Sequence, residues 1–150
     1  MKNLFEAGRV EEFKRRIAQV RPDSPRQWGT MSPGQMLEHC SRGMETGLGI
    51  TNPPRMFIGR VIGRMIKSRI MANDEPLRRN TPTAKLLVVN DERDVEKERA
   101  RLCGLIERFV AGGPTVCSKH PHMFFGTMTP HEWAILMYKH LDHHLRQFGA

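Results

Sequence analysis

Two histidines lie on the apolar stripe of what reads as the last helix, and whatever the chain folds into must satisfy their ring nitrogens. Thr129-Pro130 supplies a cap with proline at the first helical position, Glu132 follows in the first turn, and helical spacing runs nearly to the C-terminus. Projected at about 100° per residue, Trp133, Met137, His140, His144 and Phe148 share one face, with His143 at its edge. The spacing of His140 and His144 puts two imidazoles one turn apart on one side of the helix, the way a helix offers two ligands to one ion. A short His-x-x-x-His match also arises from ordinary core histidines or from a solvated helix end. Two neutral imidazoles on an apolar stripe are costly unless their nitrogens find partners, however, and an ion between them provides one.

The rest of the chain also reads as helical. Val10, Phe13, Ile17 and Val20 recur at helical spacing before Pro22. Ser32-Pro33-Gly34-Gln35 combines an N-cap, a first-turn proline and a capping-box glutamine, predicting a helix through His39 to about Glu45. Beyond Gly47, Gly49, Pro53 and Pro54, a third helix is expected from about Met56 to Met71. Its Phe57, Ile58, Val61, Ile62, Met65, Ile66 and Ile70 spread over a wide apolar arc that predicts substantial burial, beside a narrow strip of Arg60, Arg64 and Lys67. Pro76 and Pro82 imply a long irregular connection, in which Lys85 to Val89 could be extended. Val95, Leu102, Leu105, Ile106, Phe109 and Val110 mark a fourth helix ending at Gly112-Gly113-Pro114. A loop through His120-Pro121-His122 and Phe124-Phe125-Gly126 leads into the last helix. With 150 residues and 39% apolar composition, the expectation is one all-α domain over 1–150, about five helices of which four could form a bundle.

A third ligand for an ion on His140 and His144 must come from another element. His39 leads, being in the second helix beside Met36 and Cys40 with Gly43 allowing a neighbour to approach closely. His120, His122 and His131 compete from loop or cap positions, and Cys40 is adjacent to His39. Cys40, Cys103 and Cys117 are odd in number and lack Cys-x-x-Cys spacing, so free thiols in a reducing, cytoplasmic compartment are expected.

The stretch Trp28-Gly29-Thr30-Met31-Ser32-Pro33-Gly34-Gln35-Met36-Leu37-Glu38-His39, followed after about a hundred residues by His140-Leu141-Asp142-His143-His144-Leu145-Arg146-Gln147, resembles the DinB-like superfamily. Pro76-Leu77-Arg78-Arg79-Asn80-Thr81-Pro82-Thr83, His122-Met123-Phe124-Phe125-Gly126 and the ending His143 to Gly149 are closer to an uncharacterised bacterial branch of it. The resemblance implies a four-helix bundle with an extra N-terminal or connecting helix, and a metal held by His39, His140 and His144. Where the common family pattern reads His-His-Arg-Gly-Gln, this chain has His143-His144-Leu145-Arg146-Gln147. Some relatives are transferases or an isomerase that use a low-molecular-weight thiol cofactor, and others have no assigned activity.

These readings converge on a divalent-metal-dependent enzyme acting on a small-molecule substrate, with zinc, nickel or iron as the expected ion since imidazole suits each. Transfer of a low-molecular-weight thiol to an electrophile is the leading reaction. A metal-dependent hydrolase, or a non-enzymatic metal-binding or stress-related protein, is the alternative. Glu38 and Asp142 are candidate acid or base groups, while Arg146, Arg78 and Arg79 are candidate anchors for an acidic ligand. A net charge of +8 raises nucleic-acid binding as a rival, and much of the excess lies between Arg55 and Arg79. No docking motif or stacking aromatics accompany it, so no specific nucleic-acid partner is expected. The buried arc expected beside the basic strip argues against a membrane partner, and a homodimer is compatible with the sequence.

Overall fold

A computed structural model describes residues 1–81 and 87–150, and among them the regular structure is entirely helical. The helices are α1 (Arg9–Gln19), α2 (Pro33–Gly47), α3 (Phe57–Ile70), α4 (Val95–Gly112) and α5 (Pro130–Gln147), with a 3-10 turn over Gly113–Val116 after α4. Pro82, Thr83, Lys85 and Leu86 of the expected irregular connection fall outside the described residues. The next three, Leu87 to Val89, form no strand.

Local chemistry sets the helix starts. At α2 the Ser32 hydroxyl accepts from the Gln35 backbone N–H while the Gln35 side chain accepts from the Ser32 N–H. Thr129 and Glu132 repeat this capping box at α5, and Asp94 caps α4 by accepting from the Lys97 N–H. Each device satisfies amides that the first turn leaves without intrahelical partners.

Helices α1, α2, α4 and α5 share one core. Phe13 and Ile17 of α1, Met36, Leu37 and Met44 of α2, Leu102, Ile106 and Phe109 of α4, and Trp133, Leu141 and Leu145 of α5 are fully buried in it. The stripe expected on α5 proves too narrow a description: Ala134, Ile135, Leu136, Tyr138, Lys139, Asp142 and Gln147 are buried as well. α5 is enclosed on several sides, by α1, by α2, and by the N-terminal segment, whose Leu4 N–H donates to the Ala134 carbonyl at 3.1 Å. α2 and α4 are also joined by charge. Glu38 accepts from Arg42 and Arg101, and Arg101 reaches Glu45 at 2.6 Å and Glu98 at 3.3 Å.

The expectation for α3 needs correction. Instead of burying a wide apolar arc, α3 leaves Phe57, Ile58, Val61 and Met65 exposed, Phe57 at 80% and Val61 at 67%. Its docking face is set by Gly59 and Gly63, the helix's two buried residues, where a Cβ would come within 2.6 and 2.0 Å of the Phe124 carbonyl oxygen. Backbone can approach backbone this closely only where side chains are absent, so the glycines, and not the larger apolar residues, choose the buried side. α3 is therefore seated on the loop before α5 and is not packed along its length against the four core helices. Further ties are the Met56 N–H to the Met123 carbonyl, Lys67 Nζ to the Thr127 carbonyl, and Lys139 Nζ to the carbonyls of Ile70, Asn73 and Glu75.

Gly63→Ala should consequently destabilise the protein by about 1–3 kcal/mol through overpacking. Denaturant unfolding measures the loss, and amide hydrogen exchange should show it concentrated in residues 57–70.

Candidate metal centre

α2 and α5 run antiparallel and cross closely. A Cβ on Gly47 would lie 3.3 Å from Met137 Sδ, and one on Gly43 would lie 3.0 Å from His140 Cε1. One turn before Gly43, His39 meets the α5 histidines. Ring centroids are 4.9 Å apart for His39 and His140, 4.6 Å for His39 and His144, and 4.7 Å for His140 and His144. One ligand atom from each residue lies within 4.8 Å of the other two. His39 and His144 are buried and His140 is half-buried.

Hydrogen bonds to oxygen acceptors fix the protonated nitrogen of two of the rings. The Leu87 carbonyl can only accept, so His39 Nδ1 carries the proton at 3.0 Å and Nε2 keeps its lone pair. His144 Nδ1 lies 3.0 Å from Gln147 Oε1, and the Gln147 amide is oriented by its Nε2 donating to the Trp28 carbonyl at 2.8 Å. His144 Nδ1 is thus also the protonated nitrogen. His39 Nε2 faces His140 Nε2 at 2.9 Å. Imidazoles held at Nδ1 by a carbonyl-type oxygen and converging through the other nitrogen match the way proteins orient metal-bound histidines.

Electrostatics favour the same protonation states. Burial pushes the His144 imidazole down to about 3, with the nearby His39 adding to the effect. Burial, then His144 and His39, hold His140 well below the ordinary histidine value, and burial lowers His39 against the opposing Leu87 hydrogen bond. Three neutral imidazoles without a carboxylate among them fit a divalent cation, which would keep its full charge.

The other candidates do different work. His122 Nδ1 accepts from the Phe124 and Phe125 backbone N–H groups while its ring stacks on Phe125, so it shapes the loop under α3. Burial pushes its imidazole to about 4. His120 Nδ1 meets the Pro121 carbonyl, and His131 is exposed near the start of α5. His143 contacts the Leu77 carbonyl and lies against Trp28, on whose ring Arg79 sits at 4.2 Å. Cys40, Cys103 and Cys117 are free thiols, and burial raises all three away from the reactive thiolate. Asp142 bonds Arg16 and Arg146, and Glu38 belongs to the α2–α4 ion network. Burial would raise Glu38, but the Arg42 hydrogen bond and the charges of Arg101 and Arg42 hold its carboxyl below the usual range.

Sequence reasoning missed Gln147 and Leu87 as the groups that orient the candidate ligands. Gln147 lies one turn beyond His144, a spacing that marks a candidate partner. Nothing local marks the Leu87 carbonyl. A cleft of about 530 Å³ opens beside His144, lined by Trp28, Met31, Gln35, His143 and Gln147 among others, with no acidic side chain among its described lining residues.

The fold and this geometry define a protein that is all-helical among the described residues, with a largely buried three-histidine cluster that could hold a metal ion. The chain belongs to the family described as Protein of unknown function (DUF1569), whose model matches residues 6–150. No curated protein and no solved structure matches it.

Two outcomes follow from the cluster. Gln147→Leu removes the acceptor at His144 Nδ1 and should weaken divalent-metal affinity about 10–100-fold in a competition titration. In metal-free protein the buried histidines stay neutral while the unfolded chain protonates near pH 6.5, so stability is fully present above that pH and is lost as pH falls toward the lowered folded values. Unfolding measured from pH 7.5 down to about 4.5 should steepen by up to about 1.4 kcal/mol per pH unit for each such histidine. His144→Gln should lessen that slope by about one proton, and an unchanged slope would mean that His144 is not held neutral.

Proposed function

We propose that the protein is a divalent-metal-dependent enzyme of the DinB-like kind, with His39, His140 and His144 as ligands and a small molecule as substrate. The observation that carries this reading is the convergence of three imidazoles from two helices, two of them oriented at Nδ1 by Leu87 and Gln147, at the side of a cleft. A divalent ion held by neutral imidazoles supplies an electrophilic centre that acidifies a thiol or a water.

Transfer of a low-molecular-weight thiol to an electrophile is the reaction we favour. The two carboxylates closest in sequence to the ligands, Glu38 and Asp142, are each committed to two arginines. Neither is free to act as a base, and activation of a thiol by the ion needs none. The chain's own contributions are to bring three imidazoles together, to keep carboxylates out of the ligand set, and to shape an adjoining cleft with Trp28, Met31 and His143.

Protein purified without a histidine tag should contain close to one divalent ion per chain, and His140→Ala or His144→Ala should abolish it in elemental analysis. The loaded protein should turn over chlorodinitrobenzene-type electrophiles only with bacillithiol, mycothiol or glutathione, and His144→Ala should remove that turnover. Thiol-independent cleavage of activated esters would make the protein a hydrolase instead. Full metal occupancy in the doubly substituted protein would refute the ligand assignment itself.

A further inference from the structure

We infer that the outward face of α3 docks the protein on an anionic lipid surface. The apolar arc of α3, whose expected burial speaks against a membrane partner, is exposed at Phe57, Ile58, Val61 and Met65. Gly59 and Gly63 turn one side of the helix onto the Phe124 backbone. At about 100° per residue, the opposite side carries Phe57, Val61 and Met65 along one ridge, with Arg60 and Arg64 flanking it on one side and Ile58 and Arg69 on the other. All seven of these residues are exposed.

Charge selects the occupant. From Thr46 to Asn73 the chain carries Arg55, Arg60, Arg64, Lys67 and Arg69 and no acidic residue. Lys67 is engaged by Glu132 and the Thr127 carbonyl, whereas Arg60, Arg64 and Arg69 form no side-chain bond or ion pair among the described residues. A second copy seated on this ridge would set the unpaired arginines of both helices beside one another with no carboxylate from either α3, an arrangement of like charges that opposes pairing. An apolar ridge bordered by unpaired arginines is instead the composition by which an interfacial helix enters the headgroup boundary, with apolar side chains inserted and cations on lipid phosphates. α3 is seated mainly on the loop before α5, and its exposed ridge faces away from that seat.

The test is sedimentation of the full chain with vesicles of phosphatidylcholine alone and of phosphatidylcholine mixed with phosphatidylglycerol. Binding is expected to the mixed vesicles, to be at least tenfold weaker on the neutral ones, and to be largely lost at about 1 M salt, where the Debye length is about 3 Å. With about 1 kcal/mol per arginine and about 1.4 kcal/mol per tenfold, the pair R60Q and R64Q should weaken binding by about thirtyfold. F57S with V61S should weaken it tenfold or more. Both pairs lie on exposed positions and should leave the thermal unfolding midpoint unchanged, and the vesicle comparison needs no variant. Equal binding to the two vesicle types, no binding to either, or retention of wild-type binding by both double variants would overturn the inference. So would a wild-type dimer that F57S with V61S converts to monomer, which would assign the ridge to a second copy.

Discussion

The close crossing of α2 and α5 at Gly43 and Gly47 is the contact on which the candidate site depends. With hydrogen at both positions, Met137 and the His140 ring lie directly over the α2 backbone, and the antiparallel run then brings His39 beside His140 and His144. A methyl group at Gly43 would stand 3.0 Å from the His140 ring and require that ring to shift. The triad is thus a consequence of interhelical distance before it is one of ligand chemistry.

Around that crossing, α5 buries more polar groups than its sequence pattern suggests, and each has a definite partner. Lys139 donates to three carbonyls at the end of α3, Asp142 pairs with Arg16 and Arg146, and Gln147 bridges His144 and the Trp28 carbonyl. Burial depresses the Lys139 ammonium, with Asp74 and Glu75 opposing. Because an unpaired buried polar group costs more than a paired one returns, these contacts fix how the N-terminal segment, the α3 connection and the C-terminal turn are laid on the core. The candidate ligands His140 and His144 belong to the same helix, and their rings pack against each other and against His39 of α2.

The two loops flanking the cluster contribute differently. Residues Trp28 and Gly29 close on Gln147, where a Cβ on Gly29 would lie 2.4 Å from the amide nitrogen. The chain at Leu87 supplies a backbone oxygen to His39. The cleft lies between these loops, which supply most of its described walls, while Gln35, His143, His144 and Gln147 line it from α2 and α5. Rigid elements thereby hold the chemistry, and the segments most free to vary shape what can reach it.

Helix positions and the histidine pair were legible in the sequence because their signals are local. The Ser32–Gln35 and Thr129–Glu132 capping boxes close over three residues, and His140 and His144 share a face by helical pitch alone. The third histidine was only a leading candidate, since its meeting with His140 spans 101 positions, and the contacts that orient His39 and Gln147 span 48 and 119. The side of α3 that faces inward is not legible in the sequence for the same reason. Periodicity reports which residues share a face, but the neighbour decides which face is buried, and here it is a loop backbone that only glycine can approach. The sequence by itself determined where the chain is helical and which residues can serve as ligands. The tertiary structure alone decided which of them meet, what orients them, and which apolar residues remain in water, because those outcomes depend on distances between segments that no local spacing encodes.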